Sequence, residues 1–380
     1  MKSTNTQFIY SAICLASIFL SSCGGGSSSG GTTTVRSAYV ANFGDGTISQ
    51  YTIDTTGALI PMVPSTVPSI VGATLSNPTS VTVVPSGKYA YVANSSAYVI
   101  SQFTIGVRGA LMPMPMPTVV SGLGPVSVIV DPTGKYAFAA NSGSNDVTQF
   151  TIGASGALTN SMTILAGTNP ASVTVDPTGS YAYVVNSGFS CPNPPPLPPL
   201  TCAPIAGSVS QYSINAATGA LTVNAPPVAA GTDPISITVG PTGTTGTYAY
   251  VVNFTSANIT QYTIAGGALT ATTPVGTNPN PTSIAIDKNG SYAYVADGNG
   301  VTRFIITNGM LTSPISTPTG GTTPRSVALD ASGNYLYVAD QGGNISQFTV
   351  GPLGLPSAPT VTSGAPSLQP YSITTAVSLH

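Results

Sequence analysis

The stretch "DPTGKYAFAANSGSNDVTQFTIGASGAL" (Asp131–Leu158) decides the fold. It opens on "DPTG", with Pro and Gly where a tight turn requires them. "YAFAAN" (Tyr136–Asn141) and "VTQFTI" (Val147–Ile152) follow, two short runs rich in β-branched and aromatic residues. "GAL" then opens a further piece. A near copy, "DPTGSYAYVVNSG", begins at Asp176, and looser copies lie before and after both. Each unit holds four strand-like pieces: one after Pro-x-Ser, as in "SVTVD" (Ser172–Asp176), then the two above, then a Pro-studded run such as "ALMPMPMPTVV" (Ala110–Val120). Proline cannot donate to a sheet ladder, so that last piece must be an edge strand.

The Pro-x-Ser phrase occurs seven times, at Pro78, Pro125, Pro170, Pro234, Pro281, Pro324 and Pro370. The aromatic of the second piece also occurs seven times, at Tyr39, Tyr91, Phe138, Tyr183, Tyr250, Tyr294 and Tyr337. These aromatics are 43 to 52 residues apart, except for a gap of 67 that contains the Pro-rich insert "CPNPPPLPPLTC". A period in the forties built from short strands marks propeller blades. The expected fold is therefore all-β: a seven-bladed β-propeller of four-stranded antiparallel blades. The first unit lacks a Pro-x-Ser and the last Pro-x-Ser lacks a following unit. Pairing "YSITTAV" (Tyr371–Val377) with "SAYVAN" (Ser37–Asn42) in one blade closes the ring. Each blade alone exposes two apolar faces, so the Tyr and Val residues between blades are expected to be core.

Only 5% of the 380 residues are charged, against about 25% in an average domain, while 42% are apolar. All ten acids are Asp, and the single His is His380. A net charge of −2 with no basic patch excludes a nucleic-acid partner from the reading. The N-terminus carries Lys2, then an apolar run from Phe8 to Leu20, suited to a signal-peptide core rather than a bilayer span. Leu20-Ser21-Ser22-Cys23 resembles the bacterial lipobox, and that resemblance implies lipidation of Cys23 after cleavage before it. The expected organisation is a signal peptide at 1–22, lipidated Cys and tether at 23–36, and the propeller at 37–380 with an insert at 189–207. The Gly/Ser/Thr tether has an expected span of about 18 Å. The absence of Asp after Cys23 points to the outer membrane, periplasmic or surface-exposed, with the membrane as partner through the anchor. Cys191 and Cys202 are expected to form a disulfide across the insert in an oxidising compartment. A metal site there lacks further ligands.

"YVANFGDGTISQYTI" (Tyr39–Ile53), "YAYVANSS" and "DPTGKYAFAANSGSNDVTQFTI" resemble the YVTN-type repeat and the seven-bladed lactonase family that includes bacterial 6-phosphogluconolactonase. The resemblance covers about residues 37–377. It implies a lactonase that uses His, Arg and Glu at one mouth of the central channel. This chain has no Glu, and its His is terminal. No Gly-x-Ser-x-Gly elbow occurs outside the Gly/Ser tether, and no complete phosphate loop or zinc motif occurs, so no cofactor and no metal is implied. Most second strands end in Asn (Asn42, Asn94, Asn141, Asn186, Asn253), but the last two end in Asp297 and Asp340. Turn chemistry accounts for Asn and Asp at such positions. The middle residue of Pro-x-Ser is small or aliphatic except for Arg325 and Tyr371, neighbours on the closed ring. Arg325, Tyr371, Asp297 and Asp340 are thus the candidate ligand-binding residues, suited to a carboxylate or sugar phosphate. Asp45 and Asp146 occupy equivalent loops and raise the alternative of a calcium site. Two functions stay open. One is an envelope-anchored, monomeric binding or scaffold module for a glycan, protein or small molecule. The other is a lactone hydrolase with Asp as base and Arg325 as oxyanion partner.

Overall fold

The structure is a computed structural model that describes residues 34–72, 76–190, 203–204, 206–240, 247–364 and 366–379. Cys23, Cys191, Cys202 and His380 lie outside the described residues, and so do the expectations placed on them. Seven antiparallel sheets form seven blades. We number the blades by their inner strands: Pro370–Leu379 (blade 1), Pro78–Val83 (2), Pro125–Val130 (3), Pro170–Val175 (4), Pro234–Val239 (5), Ser283–Ile286 (6) and Pro324–Leu329 (7). Each inner strand packs against the next around the ring, and that of blade 1 packs between those of blades 7 and 2.

Ring closure is the expected one. Thr34–Asn42 pairs antiparallel with Pro370–Leu379, with Ser37 opposite Ala376 and Val40 opposite Ile373. The strand begins at Thr34, inside the stretch read as tether. At the insert, Phe189–Ser190 pairs with Ala203–Pro204, and the third strand of blade 4 resumes at Ser208. The outer strands carry the prolines, as in Leu59–Pro68, Leu111–Val120 and Leu221–Ala229.

The phrases that repeat in the sequence are fasteners between blades. The Pro-x-Ser serine accepts a backbone N–H from the next inner strand: Val128 to Ser80 Oγ (3.3 Å), Val327 to Ser283 Oγ (3.1 Å) and Ile373 to Ser326 Oγ (2.9 Å). The second-strand tyrosine is buried and donates its hydroxyl to a hairpin glycine carbonyl of the next blade. Tyr39 reaches Gly109, Tyr91 reaches Gly156, and Tyr337 reaches Gly57, at 2.6–2.7 Å. Burial raises the pKa of these phenols, so they stay neutral donors. The third-strand glutamine accepts an N–H at the start of the next outer strand, as Gln50 from Leu111 (2.8 Å) and Gln261 from Leu311 (2.7 Å). Between these polar bonds the apolar faces interlock. Tyr91, Ala93 and Ile100 of blade 2, for example, pack with Val128, Ala137 and Phe150 of blade 3. Gly57 shows why the hairpin residue must be Gly: its φ is +81°, and a Cβ there would overlap the Tyr335 ring.

The turns between first and second strands are closed by buried aspartates. Asp131 Oδ1 accepts the N–H of Lys135 (2.9 Å) and Tyr136 (2.7 Å), and Asp176, Asp287 and Asp330 repeat the pattern. These turns and the third-to-fourth-strand hairpins occupy one pole, the turn pole. The loops from second to third strands, and those leading into inner strands, occupy the other, the loop pole.

Candidate functional site

At the loop pole, the residue before each Pro-x-Ser adopts a left-handed backbone. Gly124, Asn77, Asn169, Asp233 and Asn280 do so with residues suited to it. Thr323 (φ +60°) and Gln369 (φ +44°) do so without that help, and a β-branched residue there is strained. Their carbonyls accept N–H bonds from Gln341 (3.0 Å) and Phe43 (3.2 Å), which hold the strained loops in place.

The middle residue of Pro-x-Ser is the extra residue of a β-bulge. Pro324 pairs with Asp340 and Ser326 with Ala339, which leaves Arg325 unmatched. Pro370 pairs with Asn42 and Ser372 with Ala41, which leaves Tyr371 unmatched. Bulges re-aim side chains, and both of these lie beside strained residues. Arg325 donates from Nε (3.2 Å) and Nη2 (2.9 Å) to Gln341 Oε1. Its Cζ lies 5.7 Å from the centroid of the Tyr371 ring, within cation–π range. Tyr371 in turn stacks on Phe43 at 5.3 Å. Phe43, Tyr371 and Arg325 thus form one stack, with Gln341 fixing the guanidinium edge. Arg325 is half-buried, and its Nη1 makes no hydrogen bond among the described residues.

The structure brings Arg325 and Tyr371 together, places Asp297 on another blade, and leaves Asp340, opposite Pro324, bonded within its own loop. Both carboxylates are buried and engaged in their own loops. Asp297 accepts from Thr302 Oγ1 (2.6 Å), the Asn299 N–H (3.0 Å) and Asn278 Nδ2 (3.2 Å). Asp340 accepts from Ser346 Oγ (3.2 Å) and Thr319 Oγ1 (3.3 Å). They fill the position where other blades use Asn, as Asn141 Nδ2 to Thr148 Oγ1 (2.8 Å) and Asn253 Nδ2 to Thr260 Oγ1 (2.9 Å). Burial raises the pKa of Asp297, and it lifts that of Asp340 to about 6. Neither forms an ion pair with Arg325 among the described residues. Asp45 accepts from Thr47 N–H (3.1 Å) and Oγ1 (2.8 Å), and Asp146 from Asn141 Nδ2 (2.6 Å). Among the described residues no three metal-ligating side chains converge.

Sequence reasoning missed Gln341 and Phe43. A signal was present for one of them: the residue after the strand-ending Asn or Asp is Ser in three blades, Gly298 in one and Phe in two (Phe43 and Phe254), so only Gln341 stands apart. Only the bulge shows that these positions share a stack.

The ring of seven four-stranded blades defines a β-propeller. The sequence profile described as "Lactonase, 7-bladed beta-propeller" matches residues 32–175, 143–281 and 242–353, and the chain belongs to that family. No curated protein is similar enough in sequence to match it. Among solved structures, it is similar to a putative 6-phosphogluconolactonase from Bacteroides fragilis (20% identity, 90% of this chain and 98% of that chain, TM-score 0.70). A periplasmic gluconolactonase from Pseudomonas aeruginosa aligns over 90% of this chain and 99% of its own (16% identity, TM-score 0.68). Hydrazine synthase from Kuenenia stuttgartiensis shares the fold over 82% of this chain and 98% of its own, at 17% identity and a TM-score of 0.59. At these identities the likeness is one of fold.

Proposed function

We propose that the protein is a ligand-binding propeller of the lactonase family that holds a small carboxylate- or phosphate-bearing sugar at the loop-pole mouth. The carrying observation is Arg325, stacked on Tyr371, fixed on one edge by Gln341, and with Nη1 unengaged. A guanidinium ordered before binding loses little entropy when it grips an anion bidentately. The Asp carboxylates that would serve as general base are buried and hydrogen-bonded within their loops, which favours binding over hydrolysis. Calorimetric titration with gluconate and 6-phosphogluconate tests this. Binding of one of them is expected, weakened at least about tenfold in Arg325→Ala and not rescued in Arg325→Lys. Equal affinity in Arg325→Ala would sink the assignment.

Family membership favours a second reading, opening of a sugar lactone, with Asp340 as base because its pKa near 6 suits proton transfer at neutral pH. Turnover of glucono-δ-lactone above the buffer rate, lost in both Asp340→Asn and Arg325→Ala, would establish hydrolysis and displace the binding-only reading.

The protein is further proposed to be a monomeric lipoprotein of the bacterial envelope, anchored through Cys23 to the outer membrane, with Cys191 and Cys202 disulfide-bonded. Incorporation of labelled palmitate, lost in Cys23→Ser, is the expected result for the anchor. A tryptic peptide pair joined only without reductant is the expected result for the disulfide.

A further inference from the structure

We infer that the turn pole of blades 1–3 is a docking face for an anionic phospholipid bilayer. The inference rests on the anchored reading above and goes beyond it by orienting the ring. Four Lys or Arg residues are exposed among the described residues: Lys88, Arg108, Lys135 and Lys288. All four lie on the turn pole, and three of them are on the adjacent blades 2 and 3. On that pole blades 1–3 carry Arg36, Lys88, Arg108 and Lys135 against Asp54 and Asp131, whereas blades 4–7 carry Lys288 against Asp176, Asp287 and Asp330.

The three clustered cations lie to one side of the point where the described chain enters the ring. The second strand of blade 1 starts at Thr34, beside Leu379, at the turn pole. The Pro85–Lys88 turn lies against Val377 and Ser378, as the close approach of Gly87 to both shows. The Lys135 turn lies next to it, with Gly134 against Val84. The hairpin tip carrying Arg108 sits on the blade 1 strand itself: Gly109 abuts Ser37, and its carbonyl accepts the Tyr39 hydroxyl at 2.6 Å. Only ten residues, 24–33, separate Cys23 from Thr34, a reach of at most about 40 Å. A lipid at Cys23 therefore holds this pole near the bilayer.

The same sector carries apolar side chains that nothing covers. Val107, beside Arg108, is 74% exposed, and Ile60 and Met112, near the turn-pole ends of the blade 1 and blade 2 outer strands, are 48% and 51% exposed. Cations interleaved with apolar groups suit the headgroup boundary of an anionic membrane, where the charges meet phosphate and the apolar groups enter the acyl edge. With this sector down, the Arg325 mouth on the opposite pole opens to the aqueous compartment.

The test uses the chain from residue 23 onward, which keeps every described residue, as an unlipidated Cys23→Ser protein. It should cosediment at low salt with phosphatidylcholine vesicles containing phosphatidylglycerol and not with phosphatidylcholine alone. The combined Lys88→Gln, Arg108→Gln, Lys135→Gln variant should bind on the order of 100-fold more weakly, given about fivefold per charge. Val107→Ser should lose roughly tenfold. Lys288→Gln should bind like the parent. The inference is overturned if phosphatidylglycerol makes no difference, if the triple variant binds equally, or if Lys288→Gln loses as much. The anchored reading fails separately, if the full chain made in a bacterial host carries no lipid at Cys23.

Discussion

The seam between blades 7 and 1 and the seam between blades 3 and 4 perform the same task with different equipment. Across the first, Tyr337 donates to Gly57 O, and Gln347 Nε2 donates to Thr56 O (3.3 Å). Arg36 pairs with Asp330 (3.2 Å) and lies over the Tyr335 ring, while Arg325 lies over Tyr371. Across the second, Phe138 replaces the tyrosine and offers no hydroxyl, while Gln149 Oε1 accepts the Leu221 N–H (2.8 Å) and Tyr212 donates to Leu165 O (2.7 Å), with no ion pair or cation–π contact across it among the described residues. The tyrosine contacts of the first seam join residues 280 apart, while Tyr136 and Ala216 of the second are 80 apart. Loop-closure entropy grows only logarithmically, so the longer separation costs roughly 1 kcal/mol more. One or two extra fasteners offset that. The closing seam is therefore over-equipped by about the amount its topology demands, and the seam between neighbouring blades tolerates a missing hydroxyl.

The comparison is broken most directly by removing residues 370–380. Blade 1 then lacks its inner strand, and the cooperative thermal transition should disappear, leaving an aggregation-prone chain with open sheet edges. Gly57→Ala should cost about 3 kcal/mol or more in denaturant unfolding, because a Cβ at positive φ meets the Tyr335 ring. A cost below about 1 kcal/mol would show that the closing hairpin can shift.

Asp340 adds a pH term to blade 7. Its folded pKa of about 6 lies above the unfolded value, so the folded state prefers the protonated form. This contribution is favourable below about pH 4, declines as pH rises to 6, and is level above that. Asp340→Asn, the residue five other blades use, should stabilise the protein by about 2 kcal/mol at pH 7 and flatten the profile between pH 4 and 6. An unchanged profile would contradict the burial argument.

Exchanging the seam residues gives a smaller effect. Tyr337→Phe should lose about 1–2 kcal/mol by leaving Gly57 O unbonded in a buried site. Phe138→Tyr should gain at most about 1 kcal/mol, if its hydroxyl reaches the equivalent hairpin carbonyl at Gly219. Arg36→Gln should cost about 0.5–1 kcal/mol, less at high salt, since the guanidinium is partly exposed and Asp330 keeps its backbone donors. Melts of the three variants at low and high salt rank them.

The fold was legible because each blade must solve the same packing problem with local chemistry. Turn aspartates, edge prolines and the alternating Tyr-Val runs have local meaning, and their period supplies the blade count. The candidate site was half legible. Arg325 and Tyr371 stood out as departures from a repeating position and do meet. Asp297 and Asp340 stood out in the same way, yet they serve as buried substitutes for Asn, because a departure from a repeat does not say which way a side chain points. Gln341 and Phe43 were invisible as partners, since their role depends on where a bulge sends the residue opposite.

By itself, the sequence determined the number of blades, the order of strands within them and the pairing of the two chain ends. These follow from periodicity and from the need to bury two faces of every sheet. The tertiary structure alone decided that the Ser, Tyr and Gln of the repeat bond to the next blade rather than their own, and that Arg325 lies on Tyr371 instead of pairing with an aspartate. It also decided that the exposed cations gather on the pole opposite that arginine. Such relations join residues from 44 to 291 positions apart, and their geometry is set by the twist and closure of the ring, which no local run of residues encodes.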